Sequence, residues 1–323
     1  IYKMNSYIRK IKKRRKKMKK TLAIVLLMVL CATFAFASGA TENQSSGKLK
    51  IDLASTYVPD TVIDEACLKL AEVLNASGLF EVTYYNNSQL GNRDDQFENI
   101  LAGEYLISIG GGSDWGDFVG NDNMGIIITP FLYDEITEVY GITESKIWQD
   151  MLEGAKASKN VKIMNYPVVS GSRYFMTKKP VVVPADLAGI KIRTPTSSYY
   201  LHVFNAFGAT PTAIPVAELY TALSQGTVDA CEFPYSDAYT RQLYEVVKYA
   251  STTPYNIAFD FFGMSTKLWD AMTDEQKKVM EEATKAASDY SFEVFAKFEP
   301  EGKAKLAEKG VQFVDIDVDA FRA

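Results

Sequence analysis

The sequence predicts an α/β protein of two lobes, each a β-sheet flanked by helices, with a hinge between them and a long C-terminal helix. Three observations predict it. Strand-like and helix-like runs alternate through short Gly- and Pro-punctuated connections from Leu49 to Phe233, the pattern of sheets covered by helices. The 323 residues exceed what one ordinary core accommodates. A helical pattern then runs from Thr273 to about Lys309. A hydrophobic content of 47% and a charged content of 23% are those of a soluble globular chain.

The N-terminus is a separate matter. The first twenty residues carry eleven Lys or Arg and no acid, and Thr21 to Ala37 is an uncharged apolar run ending in Ala35, Phe36 and Ala37. A basic region, an apolar region and an A-x-A site read as a secretory signal. Residues 1–37 are therefore expected to be a signal peptide with a basic N-terminal extension, Met18 being a better start than Ile1. Residues 38–47 are expected to form a flexible tether. An uncleaved anchor of borderline length and lipidation at Cys31, where Leu30 is a poor match, stay open as alternatives.

All 40 acidic residues follow Ala37, against 24 of the 35 basic ones. The exported part is thus expected to be strongly acidic, which argues against nucleic acid or anionic lipid as the main partner. His202 is the single histidine, so neither a Ser/His/Asp triad elsewhere nor a histidine-based metal site is available, and no cofactor is expected. Cys67 and Cys231 lie in different β/α units and are expected to be free, buried thiols.

In chain order, Leu49 to Ser55 reads as a strand, Thr61 to Asn75 as a helix with apolar residues at helical spacing, Phe80 to Tyr85 as a strand and Asn92 to Ala102 as a short helix. Tyr105 to Ile109 is a buried strand, and Gly110, Gly111 and Gly112 then suggest a turn or a close approach of backbone to ligand. They lack the spacing of a phosphate loop. Glu135 to Leu152 is mostly helical and Val161 to Val169 a strand. Leu243 to Tyr249 and Ile257 to Met264 alternate as strands do. Thr266 to Asp270 is helical, Thr273 to Gln276 is a capping box opening the last helix, Pro300 is expected to break or kink that helix, and Val311 to Asp315 is a final strand.

The stretch from Gly171 to Pro234 concentrates the chemistry. Arg173 and Arg193 follow or lie in short strand-like runs around the turn from Pro184 to Gly189. A guanidinium donates two parallel hydrogen bonds to a carboxylate. A strand end facing a cleft is where ligands bind in open α/β sheets. The pair therefore reads as a ligand clamp, with surface salt bridges as the alternative.

The same stretch carries a resemblance. GSRYF, KKP, PADLAGIKIR and FGATPTAIPVAELYTALSQGTVDACEFP resemble the signature of the DctP-type solute-binding proteins of TRAP (tripartite ATP-independent periplasmic) transporters. NNSQLGNRDDQFENILAG and TKLWDAMTDEQKKVMEEA resemble two further segments of that family, so the likeness covers roughly Lys48 to the C-terminus. It implies a periplasmic-binding-protein fold, with 48–170 plus about 259–298 as one lobe and 171–258 plus about 299–323 as the other. It also implies a periplasmic receptor, not an enzyme, that closes on a small organic acid and delivers it to membrane subunits of the small DctQ type and large DctM type. In that pattern Arg193 pairs with the ligand carboxylate, Arg173 assists, and Glu232 and Phe233 add contacts. Trp115, Tyr255, Val216 and Thr196 complete the residues expected to touch ligand.

The sequence also departs from the pattern. Sialic-acid-binding relatives have asparagine at the position of Phe233 and an acid at that of Gly111, which argues against sialic acid as ligand. Leu106 stands where an aspartate is usual. Trp115, Tyr199, Tyr200, Phe233, Tyr235 and Tyr255 crowd the expected cleft, from which an acid with an apolar or aromatic body is expected. The family usually continues beyond Ala323 into a final helix, so bare apolar surface and low stability are expected near the C-terminus. A receptor feeding a sensor protein and an exported enzyme acting on a carboxylate remain as alternative functions.

Overall fold

The computed structural model describes residues 47–323. The expected signal, Cys31 and nearly all of the tether lie outside the described residues. Strand β1 (Leu49–Ala54) leads into α1 (Val62–Ala76), whose N-cap Thr61 accepts from the Asp64 backbone N–H. Then come β2 (Phe80–Tyr85), α2 (Arg93–Leu101) and β3 (Leu106–Gly111). Asn92 and Asp95 form a reciprocal capping box at α2, satisfying two backbone donors that a helix start otherwise leaves bare.

The triple glycine is not a turn. Gly110 and Gly111 end β3, and Gly112 begins α3 (Gly112–Val119). The reason is space. A Cβ on Gly110 would lie 2.7 Å from the Phe97 ring, and one on Gly112 2.6 Å from Ile127. Helices α4 (Val139–Thr143) and α5 (Lys146–Lys159) follow. The run from Val161 to Val169 is two strands, not one: β4 (Val161–Ile163) stops, and β5 (Val168–Thr177) starts after Pro167.

In the second half β6 (Lys191–Thr194), α6 (Ser198–Ala206), β7 (Thr210–Ala213), α7 (Leu219–Ser224), β8 (Ala230–Phe233) and α8 (Tyr235–Thr240) alternate. The alternating residues from Leu243 begin as a single 3-10 turn, and the strand β9 is confined to Tyr249–Ser251. Strand β10 (Asn256–Ser265), α9 (Thr266–Ala271), α10 (Asp274–Glu308), β11 (Gln312–Val314) and α11 (Val318–Arg322) complete the chain.

The strands run in the order β2-β1-β3-β10-β5-β8-β6-β7, with β4 beside β10 and β9 between β5 and β11. In the first half β1 is parallel to β2 and β3. In the second, β6 is parallel to β7 and β8. The two long strands β5 and β10 run antiparallel and join the halves, with a register shift between Ala258 and Phe259 that leaves Ser170 as the extra residue. Gly171, next to it, has φ 120°, and a Cβ there would lie 2.6 Å from Pro234. Only glycine accepts both conditions.

Helix α10 backs both halves. Met280, Ala283 and Ala287 are buried with the first half's core, and Leu306 with the second's. It does not break at Pro300. Tertiary packing holds it: Gly302 lies so close to α8 that a Cβ would meet the Ser236 backbone N at 2.5 Å. Near the C-terminus, where bare apolar surface was expected, Phe321 is buried against Phe175 and Phe207. Cys67 and Cys231 are free and buried. Among the described residues, no helix is long and apolar enough to cross a membrane.

Candidate functional site: a guanidinium-lined cleft

One cleft lies where the carboxyl ends of both sets of parallel strands meet. Thr56 and Tyr57 after β1, Ser88 after β2 and Gly111 at the end of β3 line one side. Pro195 and Thr196 after β6, Pro215 and Val216 after β7, and Phe233 at the end of β8 line the other. Backbone leaves a parallel sheet at these ends, so loops and helix starts gather there. The empty space, open mouth included, is about 870 Å³.

Four arginines reach this cleft: Arg93, Arg173, Arg193 and Arg241. Two of them are neutralised. Arg93 pairs with Asp114 at 2.5 Å, and Asp114 also accepts from the Gly111 backbone N–H. Arg173 makes a two-pronged pair with Glu232, its Nη2 donating to Oε1 at 2.7 Å and its Nε to Oε2. Burial opposes the charge on Arg173, but Glu232 outweighs it and the guanidinium is held firmly protonated.

Arg193 is different. It is 3% exposed, its Nε donates to the Ile214 carbonyl at 2.8 Å, and it has no carboxylate partner among the described residues. Burial pushes its pKa down to about 10. Glu232 opposes this, and the charges of Arg173 and Arg241 add to it. A desolvated cation without a counter-ion is costly.

The expected site residues separate into two sets. Arg173, Arg193, Thr196, Val216 and Phe233 line the cleft. Glu232, Tyr255 and Trp115 do not. Glu232 is fully buried behind Arg173, and the Tyr255 hydroxyl donates to it at 3.1 Å. Trp115 is a core residue. Its indole N–H donates to the Phe261 carbonyl at 2.9 Å and its ring stacks on Phe97 at 3.8 Å. Gly263 supplies the notch, since a Cβ there would lie 2.4 Å from the indole.

The aromatic slot inferred from sequence is therefore mostly absent. Of its six residues only Tyr200 and Phe233 line the cleft. Tyr235 donates to the Ser251 carbonyl and stacks on Tyr174. Tyr199 sits at Gly125 and shares a hydrogen bond with Thr129. Phe233 itself is surrounded by cations, with the guanidinium carbons of Arg173, Arg193 and Arg241 at 5.4, 5.8 and 5.6 Å from its ring centre. The negative face of a phenyl ring suits such neighbours.

Several lining residues escaped the sequence reading: Tyr57, Arg93, Asp237, Arg241 and Asp260. Their signal was positional, because each lies just past, or packs onto, a strand end. Tyr57 donates to Asp260 at 2.9 Å and shares a hydrogen bond with the bulged Ser170 at 3.0 Å. Burial, with Asp260 adding, raises the phenol's pKa and keeps it a donor. Burial pushes Asp260 up to about 6 although Arg93 pulls it down, and pushes Asp237 up to about 6 against the pull of Arg241. No group of three or more His, Cys, Asp or Glu among the described residues could hold a metal ion.

A third acid supports the wall from behind. Glu299 of α10 accepts from the Tyr235 backbone N–H at the start of α8 at 3.3 Å, and burial raises it from 4.5 to about 7. Glu299, Asp237 and Asp260 thus hold protons in the folded state that the unfolded chain releases near 4. The stability this contributes is complete below about pH 4 and is lost as pH rises to about 7. Each tenfold change in proton affinity is worth about 1.4 kcal/mol. Ligand-free protein is expected to melt higher at pH 5 than at pH 8, and Glu299→Gln to flatten that dependence and raise the pH 8 melting temperature. Equal slopes for variant and wild type in a thermal melt series would refute this assignment.

The sequence and fold have relatives. Residues 53–323 match the profile of the family described as bacterial extracellular solute-binding protein, family 7. The 2,3-diketo-L-gulonate-binding periplasmic protein YiaO of Escherichia coli K12 is 25% identical over 76% of this chain and 74% of its own length. A TRAP periplasmic solute-binding protein of Actinobacillus succinogenes 130Z, solved with bound L-galactonate, superposes with a TM-score of 0.79. It is 27% identical, over 84% of this chain and 90% of that one. One of Fusobacterium nucleatum, solved with bound sn-glycerol 3-phosphate, also gives 0.79, at 28% identity over 85% and 89%. The architecture is the two-lobed one of these proteins, and the chain belongs to the DctP family of bacterial extracellular solute-binding proteins.

Proposed function

We propose that the chain is a periplasmic receptor for a small hydroxylated organic acid, with Arg193 clamping the carboxylate, and that it delivers this acid to TRAP membrane subunits of the DctQ and DctM types. One observation carries the ligand class: Arg193 is buried in the cleft wall without a carboxylate partner among the described residues. Among apolar lining residues such as Ile128, Val216 and Phe259, the wall also carries groups that suit hydroxyls. Asp237, Asp260 and Ser170 offer acceptors and Tyr57 and Thr196 offer hydroxyls, whereas the aromatic slot that would favour an apolar body is largely in the core. The named ligands of the relatives, a diketo-gulonate and a galactonate, fit the same chemistry. The role is reception, not catalysis.

The lobes meet at residues 170–171 and 258–259 in this reading. The β5–β10 ladder has its irregularity there, and two strands crossing between lobes form a hinge that a ligand can bias toward closure. Bonds between α3 and the start of α6 support a closed form: Asp117 accepts from the Ser198 backbone N–H at 2.7 Å and from its hydroxyl.

Native mass spectrometry of protein purified from the periplasm, followed by calorimetry, tests the ligand class. The expected result is a co-purified polyhydroxylated acid and tight binding of aldonates. Tight binding of aromatic acids with no heat from aldonates would overturn it.

A further inference from the structure

The carboxylate clamp leaves a second cation unexplained. Arg241 caps the C-terminal end of α8 and reaches the cleft wall. Its Nε is buried without a hydrogen-bond partner. It has no salt bridge among the described residues. Asp237, one helical turn earlier, is the nearest candidate. The pair makes no ion pair within 4.0 Å, and the backbone bond between them runs from the Arg241 N–H to the Asp237 carbonyl.

The four guanidiniums therefore divide evenly. Arg93 and Arg173 spend their charge on Asp114 and Glu232. Arg193 and Arg241 do not, and both lie against the same Phe233 ring. The ring, which Arg173 also neighbours, offers each a favourable π surface and supplies no hydrogen-bond acceptor that would satisfy either. Two desolvated cations held this way are most stable when a ligand brings two negative charges.

We infer that Arg241 is a second anion receptor, so that the ligand is a dianion with its carboxylate on Arg193 and its second negative group, a phosphate or another carboxylate, directed to Arg241. This rests on the carboxylate clamp proposed above and deepens it. Asp237 and Asp260 then serve the ligand's hydroxyls, and Phe233 selects by arranging cations instead of by touching an apolar body.

Calorimetry on the full chain with gluconate, glucarate and 6-phosphogluconate tests this, because the three share a carbon skeleton and differ at the far end. At least one of the two more highly charged acids is expected to bind tenfold or more tightly than gluconate. Which one does so distinguishes carboxylate from phosphate. Arg241→Gln is expected to lower affinity for that acid at least tenfold more than affinity for gluconate, and Arg241→Lys to retain part of the advantage. Equal affinities for all three acids, or equal losses for all three in Arg241→Gln, would overturn the assignment. So would an absence of heat with every member of the set, which leaves the clamp itself to be judged by the Arg193 variant and by the co-purified ligand.

Discussion

An Arg193→Gln variant is expected to lose at least about 30-fold in affinity for any acid the cleft binds, since truncating one partner of a buried charged pair costs about 2–5 kcal/mol or more. It is not expected to lose thermal stability when ligand-free. In the unliganded protein Arg193 is a desolvated cation, repelled by Arg173 and Arg241, with the Ile214 carbonyl as its hydrogen-bond partner. Glutamine removes the uncompensated charge and keeps a donor near that carbonyl. The combination is diagnostic: a melting temperature at or above wild type together with lost binding marks a group prepared for ligand at the expense of stability. Unchanged affinity would remove Arg193 from the site. A large fall in the ligand-free melting temperature would make it structural.

Arg173→Met should behave in the opposite way. Its partner Glu232 is fully buried, and removing the guanidinium leaves a carboxylate with Tyr255 as its remaining side-chain donor. Breaking a buried ion pair from one side costs about 3–5 kcal/mol, which corresponds to a fall of roughly 10 °C in melting temperature for a domain of this size. The double variant Arg173→Met/Glu232→Leu is expected to regain most of that loss, because the penalty comes from the orphaned charge and not from missing attraction. Thermal melts of the two variants decide it, and a double variant as unstable as the single one would refute the account. Spacing alone paired the two arginines as a clamp, and the resemblance gave Arg193 the carboxylate and Arg173 a helper's part; in the structure the charge of Arg173 is matched by Glu232, and Arg193 has a backbone carbonyl for its partner.

Much of the fold was legible because it is written in local pattern. The helices from Val62 and Asp274 start where Thr61 and Thr273 cap them, and the strand Phe80–Tyr85 alternates along its length. The misreadings share a cause. The turn offered for Gly110 to Gly112, the strand read from Leu243 and the break read at Pro300 all rest on strong local signals that packing overrode. The glycines serve close contacts with Phe97 and Ile127, and the helix around Pro300 is held by α8 pressed against Gly302. Trp115 was misplaced for a related reason. A residue following a strand end is drawn toward a cleft in sequence reasoning, but the notch at Gly263, far along the chain, draws it into the core.

By itself, the sequence determined the family, the α/β alternation and the presence of two cations in an acidic chain, since these depend on residue type and short-range spacing. Only the tertiary structure decided which charges cancel. Glu232 reaches Arg173 because β8 pairs with β5, and Arg241 and Arg193 come to share the Phe233 ring because Arg241 ends the helix that follows β8. A charge's worth depends on what lies within a few ångströms of it and how much water remains there, and neither quantity exists until the chain has folded.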